Sequence, residues 1–139
     1  MRGYLDRLSQ TEDAGLAKRC YFNCGDYESR ALAIACADVV IDATPLGMNA
    51  GDQTPFHPSL LGENQFVFDV VYGHGLTALA KAAKEQGVKK FVDGSGMLVS
   101  QAVLGAWEFL KAAGVDELPD YDKAFNIMAK AADFSLQLR

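Results

Sequence analysis

Residues 66–92, FVFDVVYGHGLTALAKAAKEQGVKKFV, hold the pattern on which the fold turns. Phe66–Val71 is a run of aromatic and β-branched residues, the composition of a strand. It is almost continuously apolar rather than alternating, as strands covered on both faces of a parallel sheet are. Thr77 can then cap a helix whose apolar face runs through Leu79, Ala80 and Ala83. Lys81, Lys84 and Glu85 fall on its wet side, and Gly87 is its stop. A further strand follows at Lys90–Val92.

The same alternation continues in both directions. Upstream, Asp38–Ile41 is a strong strand, Asp26 can cap a helix running to about Cys36, and Cys20–Asn23 is a short, weak strand. Downstream, Gly96–Ala113 reads as a helix apolar over most of its circumference, and so buried from more than one side. Pro119-Asp120 opens a last amphipathic helix, with Tyr121, Ala124, Phe125, Met128 and Ala132 at helical spacing. Helices alternating with short apolar strands predict an α/β fold with a parallel sheet of about four strands, in a single domain.

With 139 residues, half of them apolar and 22% charged, the chain has the composition of a soluble globular domain. A formal charge of −5 argues against a nucleic-acid or anionic-membrane surface. No apolar run approaches the roughly 20 residues of a membrane helix, because Asp38, Asp42 and Asp69 interrupt the candidates. Met1–Leu16 has no secretory signal pattern. The odd number of cysteines (Cys20, Cys24, Cys36) fits a reduced, cytoplasmic setting, and neither His57 nor His74 stands near them. The cysteines are thus expected to be structural, and Cys36 and Trp107 to pack.

In an open parallel sheet, ligands bind outside the carboxyl ends of the strands. Three strands end here in unusual chemistry: Ala43-Thr44-Pro45-Leu46-Gly47-Met48, Val70-Val71-Tyr72-Gly73-His74-Gly75 and Asp93-Gly94-Ser95-Gly96-Met97. All three belong to one rim. Glycines there allow close backbone approach to a ligand, and the Gly94-Ser95-Gly96 amides precede a helix, where negative charge is favoured. Gly-Ser-Gly before a helix is more often a tight turn than a phosphate cradle, and no Gly-x-Gly-x-x-Gly fingerprint exists in the chain.

Taken together, DVVIDATPLGM, VFDVVYGHGLTALAKAAKEQG and VDGSGMLVSQAVLGAWEFL resemble, in order and spacing over residues 36–113, the C-terminal half of the shikimate dehydrogenase family. The resemblance implies a partial Rossmann-like, doubly wound sheet and a hydride transfer between NADP and shikimate, in the biosynthesis of aromatic amino acids. It implies cofactor contacts from Thr44, from the backbones of Val70 and Gly94, and from Met97 against the nicotinamide. Tyr72 and Gln101 would reach the hydroxyls and carboxylate of the substrate. Met97 fits a core methionine as well, Gln101 a plain polar face, and Tyr72 a residue at the core edge.

The same resemblance implies what these residues lack. The family's lysine–aspartate pair belongs to an N-terminal substrate domain, and no catalytic residue is expected here. The Gly-rich pyrophosphate loop and the first β-α-β unit are likewise not in this sequence. Arg2 stands near the place of the family's 2′-phosphate element without its surroundings. Asp42 replaces the usual Asn, and residues 74–78 lack the usual prolines. The expectation is a cofactor-side fragment, inactive by itself and without tight NADP binding. Quinate or aminoshikimate dehydrogenases and a non-catalytic assembly module are the alternatives. With the middle of the sheet missing, the Asp38–Ile41 strand would expose an edge, so a homodimer is expected.

Overall fold

The structure, a computed structural model, describes residues 27–132. Contacts divide the chain after Arg30, and apart from the first turn of the first helix the described elements belong to the unit Ala31–Arg139. The expected strand Cys20–Asn23, the cap Asp26, and Arg2, Cys20 and Cys24 lie outside the described residues.

The elements run α1 (Tyr27–Cys36), β1 (Val39–Asp42), a 3-10 turn (Pro58–Leu60), β2 (Phe66–Asp69), α2 (Ala78–Glu85), β3 (Lys90–Asp93), α3 (Ser95–Ala112) and α4 (Tyr121–Ala131). The three strands are parallel, in the order β1-β2-β3. The α/β class is as the alternation of strands and helices predicts, with three strands among the described residues. Strand β2 stops at Asp69, two residues short of the expected Val71. The Asp69 carboxylate accepts the Val71 N–H at 3.0 Å, which turns the chain out of the ladder.

Register decides which residues are core. Val40, Val67 and Phe91 are paired across the sheet and therefore share a face. That face packs against Ile34 of α1, Leu61 after the 3-10 turn, and Leu79 and Ala83 of α2. Each fully buried Val or Leu contributes about 1.5–3 kcal/mol, and Val67 and Leu79 are both closed to solvent. Helix α2 starts and stops where its residues dictate. The Thr77 hydroxyl caps its start, and Gly87, at φ +75°, turns it off. There the Gly87 N–H donates to Lys84 O and the Val88 N–H to Ala83 O, so the last carbonyls keep partners.

Gln65 joins helix to sheet. Buried just before β2, its Nε2 donates to Ile34 O at 2.7 Å and to Ala37 O at 3.0 Å, while its Oε1 accepts the Gly62 N–H at 2.9 Å. It thereby gives Ala37 O a partner and adds a second donor to Ile34 O, which also accepts the Ala37 N–H at 3.2 Å.

Two expectations of burial fail. The opposite face of β1 is open: Val39 and Ile41 are 54% and 61% exposed, so this strand is covered on one side only. Helix α3 buries only Ser95, Val99 and Val103, whereas Met97, Leu104 and Phe109 are exposed. An apolar circumference needs neighbours all round. Among the described elements α4 packs along α3, through the Tyr121 hydroxyl bonded to Ser100 Oγ (2.9 Å) and an edge contact of Tyr121 with Trp107. Trp107 is thus a packing residue, as expected. Cys36 is not, because it stands exposed in the last turn of α1. Helix α4 ends at Ala131, leaving Ala132 outside its apolar stripe.

Gln65→Leu keeps the bulk of the side chain and removes all three bonds. It is expected to destabilise the fold by about 1–3 kcal/mol, the cost of leaving buried backbone groups without partners. Denaturant unfolding measures it, and an unchanged midpoint would show that water replaces the amide.

Candidate functional site

The last residues of the three strands, Asp42, Asp69 and Asp93, stand in one row across the sheet. Each carboxylate accepts the amide N–H of the residue two places on. Thr44 donates to Asp42 at 2.9 Å, Val71 to Asp69 at 3.0 Å and Ser95 to Asp93 at 2.9 Å. This local bond folds the backbone away from the strand, and its repetition sends three segments out at the same rim. Asp69, at 0% exposure, is the innermost. Burial pushes its carboxyl above the ordinary carboxylate value, bonds from Thr77 and Val71 pull it back, and the charges of Asp42 and Asp93 raise it further. The second oxygen of Asp42 is buried with no partner among the described residues.

Thr77 connects this row to the loop after β1. Its hydroxyl donates to Asp69 Oδ2 at 2.7 Å and accepts the Ala80 N–H at 3.1 Å. Its methyl carbon lies 2.9 Å from where a Cβ on Gly47 would sit, and Gly47 has φ +105°. Only glycine satisfies both conditions. The loop then spends its own amides. Leu46 donates to Thr44 Oγ1, Gly47 and Asn49 to Asp52 Oδ2, and Met48 to Pro45 O. The Asp52 carboxyl is held below its ordinary value, chiefly by the Asn49 amide and next by that of Gly47. Asp52 escapes a motif reading of the sequence. Its signal is an Asp three residues after Asn49 that follows Gly51, a turn pattern.

Val70, Tyr72 and Gly94 are brought together. A Cβ on Gly94 would collide with the Val70 carbonyl group and stand 3.1 Å from Tyr72 Cδ1. Glycine is required here by the packing of two strand ends. Gly94 is the N-cap of α3 and Ser95-Gly96 its first residues; the Gly94 N–H donates to Val71 O and the Ser95 N–H to Asp93, so neither of these two amides is open to an anion. Met97, at 44% exposure, is not a core methionine, and Gln101 is exposed one turn further along α3. Thr44, exposed after β1, stands across β2 from Gly94 and Met97, which follow β3. Among the described residues no group of three or more His, Cys, Asp or Glu is arranged to hold a metal ion.

No protein-family model matches the chain. It is 40% identical over 86 residues to the NADP(+) shikimate dehydrogenase of Colwellia psychrerythraea, covering 62% of this chain and 30% of that protein. Its fold matches shikimate 5-dehydrogenase from Listeria monocytogenes, solved with shikimate and NAD, at a TM-score of 0.62 and 25% identity. That match covers 89% of this chain and 40% of the other. The chain is homologous to part of the shikimate dehydrogenases. A quinate dehydrogenase from Corynebacterium glutamicum, in complex with NAD, matches at a TM-score of 0.59 and 34% identity, over 76% of this chain and 36% of that one. The chain spans about a third of the length of the curated shikimate dehydrogenases it matches.

In this shikimate dehydrogenase-like unit, Thr77→Val removes one hydroxyl and keeps the shape. It is expected to cost about 1–3 kcal/mol for the orphaned Asp69 oxygen and about 1 kcal/mol for the lost cap, with Thr77→Ser restoring most of it. The bond favours the charged carboxylate, so the loss should grow as pH rises through the raised Asp69 pKa and shrink on the acid side. Thermal melts of both variants across that range measure it; a penalty independent of pH would reject the coupling.

Proposed function

We propose that the chain is the cofactor-side part of an NADP-dependent shikimate dehydrogenase, interconverting 3-dehydroshikimate and shikimate by hydride transfer. One observation carries the reading. Segments with this chemistry leave three consecutive parallel strands at one rim, Thr44 on one side, Val70–Tyr72 in the middle, Gly94–Met97 on the other. The rim suits the flat nicotinamide end of a dinucleotide rather than its phosphates. Leu46, Val70 and Met97 present apolar surface there, and the loop amides of residues 46–49 are turned inward rather than left for phosphate.

Bound NADP would supply the hydride chemistry. Thr44 and Met97 would flank its nicotinamide end, and the Val70 and Gly94 backbones would line the floor. Tyr72 and Gln101 would hold the hydroxyls and carboxylate of the substrate. The proton on the carbonyl side would come from a lysine–aspartate pair elsewhere in a complete enzyme, a contribution of about 10² to 10⁴ in rate. The exposed, free Cys36 suits a reducing, cytoplasmic setting. Self-association is part of the proposal: among the described residues β1 pairs with β2 alone, and Val39 and Ile41 beside that outer edge are exposed.

Grafting residues 36–113 in place of the matching segment of the Listeria enzyme tests the reading. The chimera is expected to oxidise shikimate, whereas the 139-residue chain alone is not. In the chimera, Tyr72→Phe should raise the KM for shikimate by about five- to 150-fold, the value of one buried hydroxyl that loses its partner, and leave the cofactor KM in place. A folded chimera without turnover, or one in which only the cofactor KM moves, would overturn it. Preference for quinate would move the reading to that substrate.

Sedimentation equilibrium of the chain should show a dimer at high micromolar concentration. A monomer alone at that concentration would remove the strand-edge interface.

A further inference from the structure

The loop after β1 is held from two sides. On one, Gly47 rests against the Thr77 methyl. On the other, a single oxygen of Asp52 gathers the Gly47 N–H at 2.9 Å, the Asn49 N–H at 3.0 Å and Asn49 Nδ2 at 3.5 Å. The Asp52 N–H donates back to Asn49 O at 3.2 Å, which closes the turn. Without the carboxylate the loop would keep its turn bonds from Met48 to Pro45 O and from Asp52 to Asn49 O and the contact with Thr77, but the Gly47 and Asn49 amides would lose their acceptor.

We infer that Asp52 is a positioning residue for the dinucleotide: by holding the Gly47 and Asn49 amides inward it shapes Leu46–Met48 into a preformed, neutral wall of the crevice. The inference rests on the cofactor-side reading of the rim. Its physical basis is preorganisation, because a loop already ordered in its binding shape loses less freedom when the ligand arrives. Asp52 itself touches no ligand in this scheme. Its ionised form is stabilised by the donors around it, which is also why its carboxyl is held low.

The test uses the 139-residue chain, ¹⁵N-labelled, titrated with NADPH into the millimolar range. In the parent chain the Leu46, Gly47 and Met48 amide signals should shift saturably. Asp52→Ala should weaken that binding by about tenfold, as expected for two lost backbone bonds, in a chain that stays folded at the titration temperature. Asp52→Asn keeps one acceptor oxygen and should recover most of the affinity; it also serves if the alanine variant fails to fold. Equal affinity in all three, or a folded Asp52→Asn no better than Asp52→Ala, would overturn the positioning role. A parent chain whose loop signals ignore NADPH would instead overturn the cofactor-side reading, and this inference with it.

Discussion

The hydrogen bond between Thr77 and Asp69 is the constraint around which this unit is arranged. A carboxylate at the end of the middle strand, closed to solvent, must find donors for both oxygens or give up its charge. It finds them close by in sequence, one in the Val71 amide and one in the Thr77 hydroxyl. Because that hydroxyl also caps α2, strand end and helix start are locked to one another. The positive end of the helix dipole then faces the acidic row, which favours the carboxylate.

Neighbouring features follow from this lock. The Thr77 methyl sets how near the loop after β1 can lie and admits only glycine at position 47. The Val71 turn places the Val70 carbonyl against Gly94, which again admits only glycine. Two glycines that look like concessions to a ligand are thus demanded by the protein itself. What stands at the rim is a set of half-buried apolar groups, exposed polar side chains and few open amides. Apolar surface is left uncovered elsewhere, at Val39 and Ile41 of β1 and at Leu104 and Phe109 of α3. In soluble proteins, exposed apolar patches are common at sites that meet a partner.

Local composition carried the elements and the rim. Strand β2, the Thr77 cap and the Gly87 stop were legible because each depends on residues a few places apart. The three strand-end segments were legible as one site because parallel strands in one sheet must end at the same rim. Gln65 and Asp52 were not. Each acts through a side chain bonded to backbone, a role with no periodicity, and the acceptors of Gln65 lie 28 and 31 residues away. The end of β2 was missed for a related reason: one Asp carboxylate shortens a β-branched run that composition alone would extend to Val71.

By itself the sequence determined the α/β class, the order of the elements and the residues offered at the rim, since periodicity, capping and turn chemistry are local. Only the tertiary structure decided which apolar faces are covered. Ile41 and Phe109 have the side chains of core residues and stand 61% and 80% exposed, and Cys36 stands outside the core altogether. Burial is a relation between two surfaces, and a residue's own chemistry states only its half. The same holds for Asp69, whose raised pKa exists because register sets it between Asp42 and Asp93 in a site closed to water.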